Sequence, residues 1–575
     1  MKISKKILVM VLLLAAMICC FSLGAGAEEN GTEGFYNYSV QNSKATIYYC
    51  DESISGNVII PDTLGGYPVT EIADSAFYFC RNMTSATIPD SVTKIGAAAF
   101  YDLVLLRSVT LPASLISIGS SAFWGCPLID VTIPDGVLTI GDNAFRNCDK
   151  LKTVKLPKSL TSISEECFKF CTNLTKVEIP SGVISIGEEA FYDCEQLKEV
   201  TIPDTVMTID ASAFGDCKKL AEVIIPDSVT SISGGAFSGC EVLKTVKLSN
   251  SISEVNGFSG CKSLEKIEIP KGVVSIGDGA FTDCTSLKEI VLPESLKTIG
   301  DSAFYNCIAI TNIDLPSGLT DIGSSAFSSC TALSKIVIPD GVTSIPDAFT
   351  GCSALKSVTF PKNLKAIYGH AFQSCSSLMS VKIPDKVTVI GGYAFHKSGL
   401  KNISLPKSVA EVDEYALDSL NMNTITVYNP DCYINSDNRW CNTIRGYKGS
   451  TAEAYAEKWN INFVALEDEP HEHTYTCTTK EATCTEAGSK TYVCDCGESY
   501  TETIPALGHS DKNNDGKCDT CGVTLRELEK PDTPDTPSQN CSHLCHKGGF
   551  IWSIIRFFCK IFRTNKYCSC GAAHY

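Results

Sequence analysis

The chain has few of the groups on which enzymatic chemistry most often depends. Only eight of its 575 residues are histidine. It contains no phosphate-binding loop, no dinucleotide-binding glycine fingerprint, no Gly-x-Ser-x-Gly elbow and no His-Glu-x-x-His sequence. His370 and His396 are isolated in the long central part of the chain, without shared partners in the sequence pattern, whereas a catalytic base needs a positioned neighbour. We therefore expect solvated turn histidines and a protein that is not an enzyme.

Positive charge is also scarce. The formal net charge is -17, and removing residues 1–27, which carry three lysines and no acidic residue, makes it -20. Because duplex binding requires Lys and Arg to neutralise phosphates, this balance excludes nucleic acid as a partner.

The first 27 residues have the pattern of a secretory signal peptide. Three lysines precede an apolar run over residues 7–23, and the small residues Ala25-Gly26-Ala27 follow it. We expect the protein to be secreted and to be extracellular or attached to the cell surface.

The central part of the chain repeats in steps of 22 or 23 residues. Proline marks the register at Pro89, Pro112, Pro134, Pro157, Pro180, Pro203, Pro226, Pro270, Pro293, Pro316, Pro339, Pro361, Pro384 and Pro406. A phenylalanine column keeps the same register from Phe77 to Phe395. Such a period indicates a solenoid in which each unit buries its apolar face against its neighbours.

One unit, from Leu197 to Cys217, shows how each coil is built. Val200 and Ile202 alternate with polar residues, which predicts a short parallel strand with these two side chains inward. Pro203 cannot donate a ladder hydrogen bond, so the strand ends there. A second apolar pair and Ala213-Phe214 then fill the coil, leaving little room for helix.

These Ile-Pro, Ile-Gly, Ala-Phe and Cys positions resemble the BspA-like leucine-rich repeats of bacteria, over about residues 35 to 466. The resemblance implies a two-sheeted, curved parallel solenoid on or released from the cell, often acting in adhesion, without catalytic residues. We accordingly expect a parallel β-rich leucine-rich-repeat solenoid of the α/β class with little helix, followed by small Cys/His-rich C-terminal modules.

Cysteine follows the repeat phenylalanine by three residues in thirteen units, at Cys80, Cys126, Cys148, Cys171, Cys194, Cys217, Cys240, Cys261, Cys284, Cys307, Cys330, Cys352 and Cys375. Equivalent positions in stacked coils have parallel Cβ directions, which do not suit a disulfide torsion. Free cysteine is often buried, so we expect packed thiols rather than a redox or metal stripe.

Two groups of solvent-facing residues are candidate binding surfaces. The first, the strand column, consists of Thr201, Ile224, Lys247, Glu268, Val291, Asp314 and Val337. The second, the aromatic group, consists of Tyr78, Tyr101 and Trp124, each following a repeat phenylalanine. Rigid repeats present variable side chains on extended surfaces, and stacked aromatics are typical interface anchors.

The cysteines beyond residue 470 are interpreted differently from those of the repeat, because few aliphatic residues accompany them. Such a segment needs a cross-link, either structural zinc or disulfides. The candidate metal ligands are Cys494, Cys496, His509, Cys518 and Cys521, and, in the tail, Cys541, His543, Cys545, His546, Cys568, Cys570 and His574. Structural zinc is the one cofactor that this pattern suggests, and disulfides are the alternative to it.

The last 35 residues combine an apolar stretch, GGFIWSIIRFFCKIF, with five basic residues and no acidic one. The stretch is too short to span a bilayer, so we expect this tail to contact membrane or cell wall, or to self-associate. The domains expected are a signal peptide (1–27), an N-terminal cap (28–60), the solenoid (61–420), a C-terminal cap (421–466), a Cys/His-rich module (471–525), a linker (526–540) and the basic tail (541–575).

Three functions remain open at this point. The first is binding or adhesion to a protein or glycan on host or bacterial surfaces. The second is a passive structural component of the cell surface, and the third is a zinc-dependent hydrolase.

Overall fold

The computed structural model describes residues 29–436, 438–466, 475–494, 499–512, 516–522 and 524. The chain divides into two compact units, one up to residue 473 and one from residue 474. In the first unit, the coils stack as a parallel β solenoid, as the repeat predicts. The tail residues 541–575, with all their candidate ligands, lie outside the described residues, as does Cys496.

The strand of each coil that precedes the proline forms the first sheet. In the Leu197–Cys217 unit, this strand spans Glu199–Thr201, with Val200 half-buried and Ile202 only 7% exposed. The strands of this sheet are Ser55–Ile59, Asn82–Thr87, Ser108–Thr110, Asp130–Thr132, Thr153–Lys155, Lys176–Glu178, Glu199–Thr201, Glu222–Ile224, Thr245–Lys247, Lys266–Glu268, Glu289–Val291, Lys335–Val337, Ser357–Thr359, Asn402–Leu405, Thr424–Val427, Thr443–Gly446 and Asn462–Ala465.

A second sheet runs along the solenoid, built mostly from two-residue strands whose second residue is a buried aliphatic side chain. Its pairs, such as Thr208↔Ser231, are parallel and keep identical columns in register. Its strands are Lys44–Cys50, Tyr67–Ile72, Lys94–Ile95, Ser117–Ile118, Thr139–Ile140, Ser162–Ile163, Ser185–Ile186, Thr208–Ile209, Ser231–Ile232, Glu254–Val255, Ser275–Ile276, Thr298–Ile299, Asp321–Ile322, Ser344–Ile345, Ala366–Ile367, Val389–Ile390, Glu411–Val412 and Tyr433–Ile434.

At the N-terminal end, the strands Glu29–Glu33, Tyr36–Gln41 and Lys44–Cys50 pair antiparallel, and the last continues in parallel into Tyr67–Ile72. Thr63–Leu64 forms a small antiparallel pair with that same strand.

Phenylalanine fills the interior of every coil from Phe77 to Phe395. Consecutive rings stack with centroids 4.8–5.8 Å apart and planes within 13° of each other. Phe214, for example, is fully buried between Phe191 and Phe237. Offset stacking adds to the area that each ring buries, so this column joins neighbouring coils into one core.

The turn around most of the repeat phenylalanines contains a left-handed residue that is not glycine. Ser121, two residues before Phe123, has φ 56°, and Asp102, two residues after Phe100, has φ 55°. This conformation costs non-glycine residues free energy, but here it aims amide groups at the next coil. Ser121 N donates to Asp142 O at 2.8 Å, and Asp102 N donates to Trp124 O at 2.7 Å.

The C-terminal end of the solenoid carries a helix, Thr451–Trp459. The Ser450 hydroxyl caps it by accepting from Glu453 N, and Asn460 ends it in a left-handed conformation. Among the residues that the structure describes, no helix is long and apolar enough to cross a membrane.

The second unit contains a three-stranded antiparallel sheet formed by Tyr475–Lys480, Gly488–Cys494 and Ser499–Ile504. An isolated bridge joins Lys517 to Thr524. Within its described residues, the buried hydrophobic side chains are Cys484, Cys494 and Cys518. The unit therefore has very little aliphatic core.

Candidate functional site

The strand column lies on the solvent side of the first sheet. All seven residues are exposed, and three of them are aliphatic: Ile224 is 53%, Val291 45% and Val337 58% exposed. Ladder pairing aligns Ile224 with Lys247, and Glu268 with Val291. Asp314 lies in a coil that crosses this sheet without an assigned strand.

A depression of about 1020 Å³ opens at one part of the strand column. Thr201, Ile224 and Lys247 line it together with Lys198, Lys219, Glu199, Glu222, Asp204 and Asp227. It lies where the first sheet is interrupted, since Glu199–Thr201 and Glu222–Ile224 belong to separate ladders. The depression thus surrounds one exposed isoleucine with charges of both signs.

A second exposed apolar group, the second-sheet stripe, was missed in the sequence. It comprises Ile116, Leu138, Ile184 and Met207, which are 47%, 54%, 49% and 49% exposed. Each residue immediately precedes a strand of the second sheet, so they occupy one column, with Thr161 at the coil between. The exposed aliphatic column is visible when the repeats are aligned with one another. It is easily missed because the adjacent strands have only two residues.

The aromatic group forms a continuous stack. Tyr78 and Tyr101 lie 5.1 Å apart, Tyr101 and Trp124 4.5 Å apart, with planes within 11°. All three are half-buried, and Phe79 packs edge-on against Tyr78. Burial raises the pKa of Tyr101. Because the rings stack on one another, the faces of Tyr101 are covered by its two neighbours.

The two solenoid histidines contact the same tyrosine, which corrects the expectation that they share no partner. His370 stacks on Tyr393 at 5.0 Å, and His396 packs edge-on against the same tyrosine at 5.3 Å. His396 is largely buried, with Nδ1 3.2 Å from an Asp418 carboxylate oxygen, so it is not a solvated turn residue. The sequence missed this contact because it joins positions on opposite sides of the repeat phenylalanine.

The thirteen cysteines of the column are fully buried free thiols. Cys217 Sγ donates to the carbonyl oxygen of Phe191 in the preceding coil at 3.4 Å. The same contact recurs at 3.0–3.4 Å from Cys126 to Cys375. Burial raises the pKa of Cys126, Cys330 and Cys375 to about 12. The cysteine column therefore packs in the core, as expected. Its thiols also donate hydrogen bonds to carbonyl groups of the preceding coils.

A Cys/His group lies in the second unit. The ligand atoms of Cys484, His509, Cys518 and Cys521 are all within 4.8 Å of one another. Three of these residues were candidate ligands from sequence, whereas Cys484 was not among them. Cys494 is not part of the group and lies at a strand end, paired with Tyr475.

Protonation differs within this group. The pKa of Cys518 is lowered to about 5, chiefly because the amide groups of Thr520 and Cys521 donate to its sulfur. The pKa of Cys484 is raised to about 11 by burial and by hydrogen bonding with Cys518 and Cys521.

Parallel coils of 22 or 23 residues, two sheets, a phenylalanine interior and variable exposed columns together define a leucine-rich repeat solenoid. A family model described as the BspA type leucine rich repeat region matches residues 70–195, 161–257, 254–379 and 333–438. These matches cover more than half of the chain, which therefore belongs to the BspA-type leucine-rich repeat family. A search of curated proteins found no match.

Solved structures of bacterial leucine-rich repeat proteins are similar to this chain. A leucine-rich repeat protein from Bacteroides ovatus is 27% identical, with 64% of this chain and 95% of that chain covered and a TM-score of 0.47. A leucine rich cell surface protein from Faecalibacterium prausnitzii is 32% identical, with 52% and 96% covered and a TM-score of 0.34. The pneumococcal vaccine antigen PcpA is 18% identical, with 76% and 98% covered and a TM-score of 0.39.

Proposed function

We propose that this protein is a secreted or cell-surface, non-catalytic adhesin whose solenoid binds a protein or glycan on host or bacterial surfaces. The observation that carries the proposal is the strand column, in which aliphatic side chains stand exposed on a rigid sheet. A rigid repeat scaffold presents such exposed side chains along an extended surface, where they can anchor a partner. The signal-peptide pattern of residues 1–27 supports the location.

The depression around Ile224 favours a protein as the partner. Interfaces between proteins combine a buried apolar centre with a polar rim, and a few central residues carry most of the binding energy. Ile224 supplies an apolar centre, while lysines and carboxylates on both sides supply a rim that can pair with either sign of charge.

Binding of the full chain to a panel of host matrix proteins and bacterial surface proteins tests this function. We expect the double variant Ile224→Asp/Val337→Asp to bind a captured partner at least about tenfold more weakly than the unchanged chain. Each substitution places a charge where the partner would otherwise cover an aliphatic side chain. Leu420→Asp is the matched control, since Leu420 is 59% exposed but belongs to none of the candidate surfaces.

Two further variants separate the surfaces from one another. Ile184→Asp/Met207→Asp changes the second-sheet stripe, and Tyr101→Ala changes the aromatic group. Weakening by one of these variants alone would move the binding site to that surface. If every variant binds as the unchanged chain does, the binding site lies on none of these three surfaces. If no member of the panel binds, the passive structural role replaces adhesion.

A further inference from the structure

The Cys/His group of the second unit has the composition and arrangement of a metal centre. Three thiol groups and one imidazole converge there: Cys484, Cys518, Cys521 and His509. Zinc in structural sites is held by four such ligands in a tetrahedron, commonly as three cysteines and one histidine. Soft sulfur ligands also exclude calcium and magnesium, which bind oxygen.

Two distances within the group are close to the edges of a tetrahedron around zinc. Bond lengths of about 2.3 Å for Zn–S and 2.0 Å for Zn–N imply edges of about 3.8 Å between sulfurs and about 3.6 Å between sulfur and nitrogen. Cys484 Sγ lies 3.5 Å from Cys518 Sγ, and Cys521 Sγ lies 3.4 Å from His509 Nδ1. The sulfur pair is well beyond the about 2.05 Å of a disulfide bond.

Backbone hydrogen bonds bring the three ligand-bearing segments together. Leu507 N donates to Thr483 O at 2.9 Å, which places His509 beside the turn that carries Cys484. Asp519 N donates to Ser510 O at 2.9 Å, which places the Cys518–Cys521 turn beside the same histidine. The ligands are therefore positioned by the fold of the unit.

The Cys518–Cys521 turn has the features of a metal-binding knuckle. Gly522 N donates to Cys518 O at 2.9 Å, and Gly522 has φ 72°. Only glycine takes this left-handed conformation without strain, and it closes the turn directly after the second cysteine.

The unit also needs a cross-link of this kind. Its buried hydrophobic side chains, among the described residues, are three cysteines, two of which belong to the group. A sheet with so little apolar burial lacks the free energy to offset its conformational entropy. Metal coordination supplies that free energy because the site forms only in the folded unit.

We propose that Cys484, His509, Cys518 and Cys521 bind one zinc ion in a closed, structural site that folds the second unit. All four positions of the tetrahedron are taken by protein ligands, so no coordination site remains for water or substrate. The three thiols bind as thiolates, and their protons are released to solvent.

Peptide-resolved alkylation of the full chain tests the site without any substitution. The chain is kept reduced, loaded with Zn²⁺, freed of excess metal and alkylated with or without a strong zinc chelator. We expect Cys484, Cys518 and Cys521 to be protected with zinc and labelled once zinc is removed. Cys477 is exposed in the same unit but lies outside the group, so it should be labelled in both samples.

Zinc content of two variants provides the matched comparison. Cys518→Ser should bind one zinc ion fewer per chain than the unchanged protein, whereas Cys477→Ser should bind the same amount. This difference holds whatever zinc binds elsewhere in the chain. Equal zinc content in both variants would overturn the proposal, as would a Cys484–Cys518 disulfide in the protein isolated without reductant.

Discussion

Alkylation kinetics of the native chain test whether the cysteine column belongs to the core. Cys126, Cys330 and Cys375 are fully buried, and burial raises the pKa of each thiol from an ordinary value of 9.0 to about 12. Because the thiolate is the reactive species, a rise of the pKa from 9.0 to about 12 lowers the thiolate fraction about 10³-fold at pH 8. Exclusion of the reagent by the packed coils adds to this factor.

We therefore expect these three cysteines to be alkylated at least about 10³-fold more slowly in the native chain than in the chain unfolded by urea. The assay is pulsed alkylation at pH 8 without reductant, followed by digestion and mass spectrometry of each cysteine peptide. Cys477 of the second unit, which is exposed, serves as the internal reference.

Two results would refute this reasoning. Native rates close to the unfolded rates would show that the column is accessible, as a redox or metal stripe requires. Failure of most column cysteines to label after unfolding without reductant would show that they are oxidised, although stacked Cβ directions oppose disulfides.

Two further predictions concern stability, both measured by urea unfolding. Phe214→Ala should lower the free energy of unfolding by about 3–5 kcal/mol, because it leaves a cavity between two stacked rings. The control Tyr368→Ala, at a residue that is 52% exposed, should change the free energy of unfolding by less than about 0.5 kcal/mol. Similar losses in both variants would contradict the stacked core. Stability should also fall at alkaline pH. Because the pKa of buried thiols such as Cys126 is raised, the folded chain retains protons that the unfolded chain loses. The contribution of these thiols to the free energy of unfolding is therefore complete below about pH 9 and is lost as pH rises towards 12. A urea midpoint that stays constant from pH 8 to pH 10.5 would contradict this assignment.

Much of the solenoid could be predicted because the repeat itself reports on packing. A residue type that recurs every 22 or 23 positions, such as Phe191, Phe214 and Phe237, must lie in one column of stacked coils. Alternation around Val200 and the proline that follows then give the strand and its end. These steps use only local periodicity and the rule that each coil covers its neighbour.

Contacts between different columns could not be predicted in the same way. Tyr393 lies between His370 and His396 because the turn around the repeat phenylalanine is left-handed at two non-glycine positions, which the sequence pattern does not indicate. The thiol of Cys217 donates to a carbonyl group one coil away for the same reason. Both contacts depend on side-chain direction within a turn.

The Cys/His group shows a related limit outside the repeat. His509, Cys518 and Cys521 are close in sequence, so ligand spacing identifies them. Cys484 is 34 residues from Cys518 and joins them only through the pairing of Leu507 with Thr483. The sequence instead indicated Cys494 and Cys496 beside these three residues, and Cys494 is not part of the group.

Repetition within this one chain also separates structural positions from positions that are free to serve recognition. Each coil must fill the same interior, so phenylalanine and cysteine are retained at their columns from coil to coil. The strand column carries threonine, isoleucine, lysine and glutamate at Thr201, Ile224, Lys247 and Glu268 on nearly the same backbone. A position that accepts all four side chains is not fixed by the fold. The chemistry of each exposed patch, including the aliphatic groups at Ile224 and Val337, is therefore set independently of folding, as a binding surface on a repeat scaffold requires.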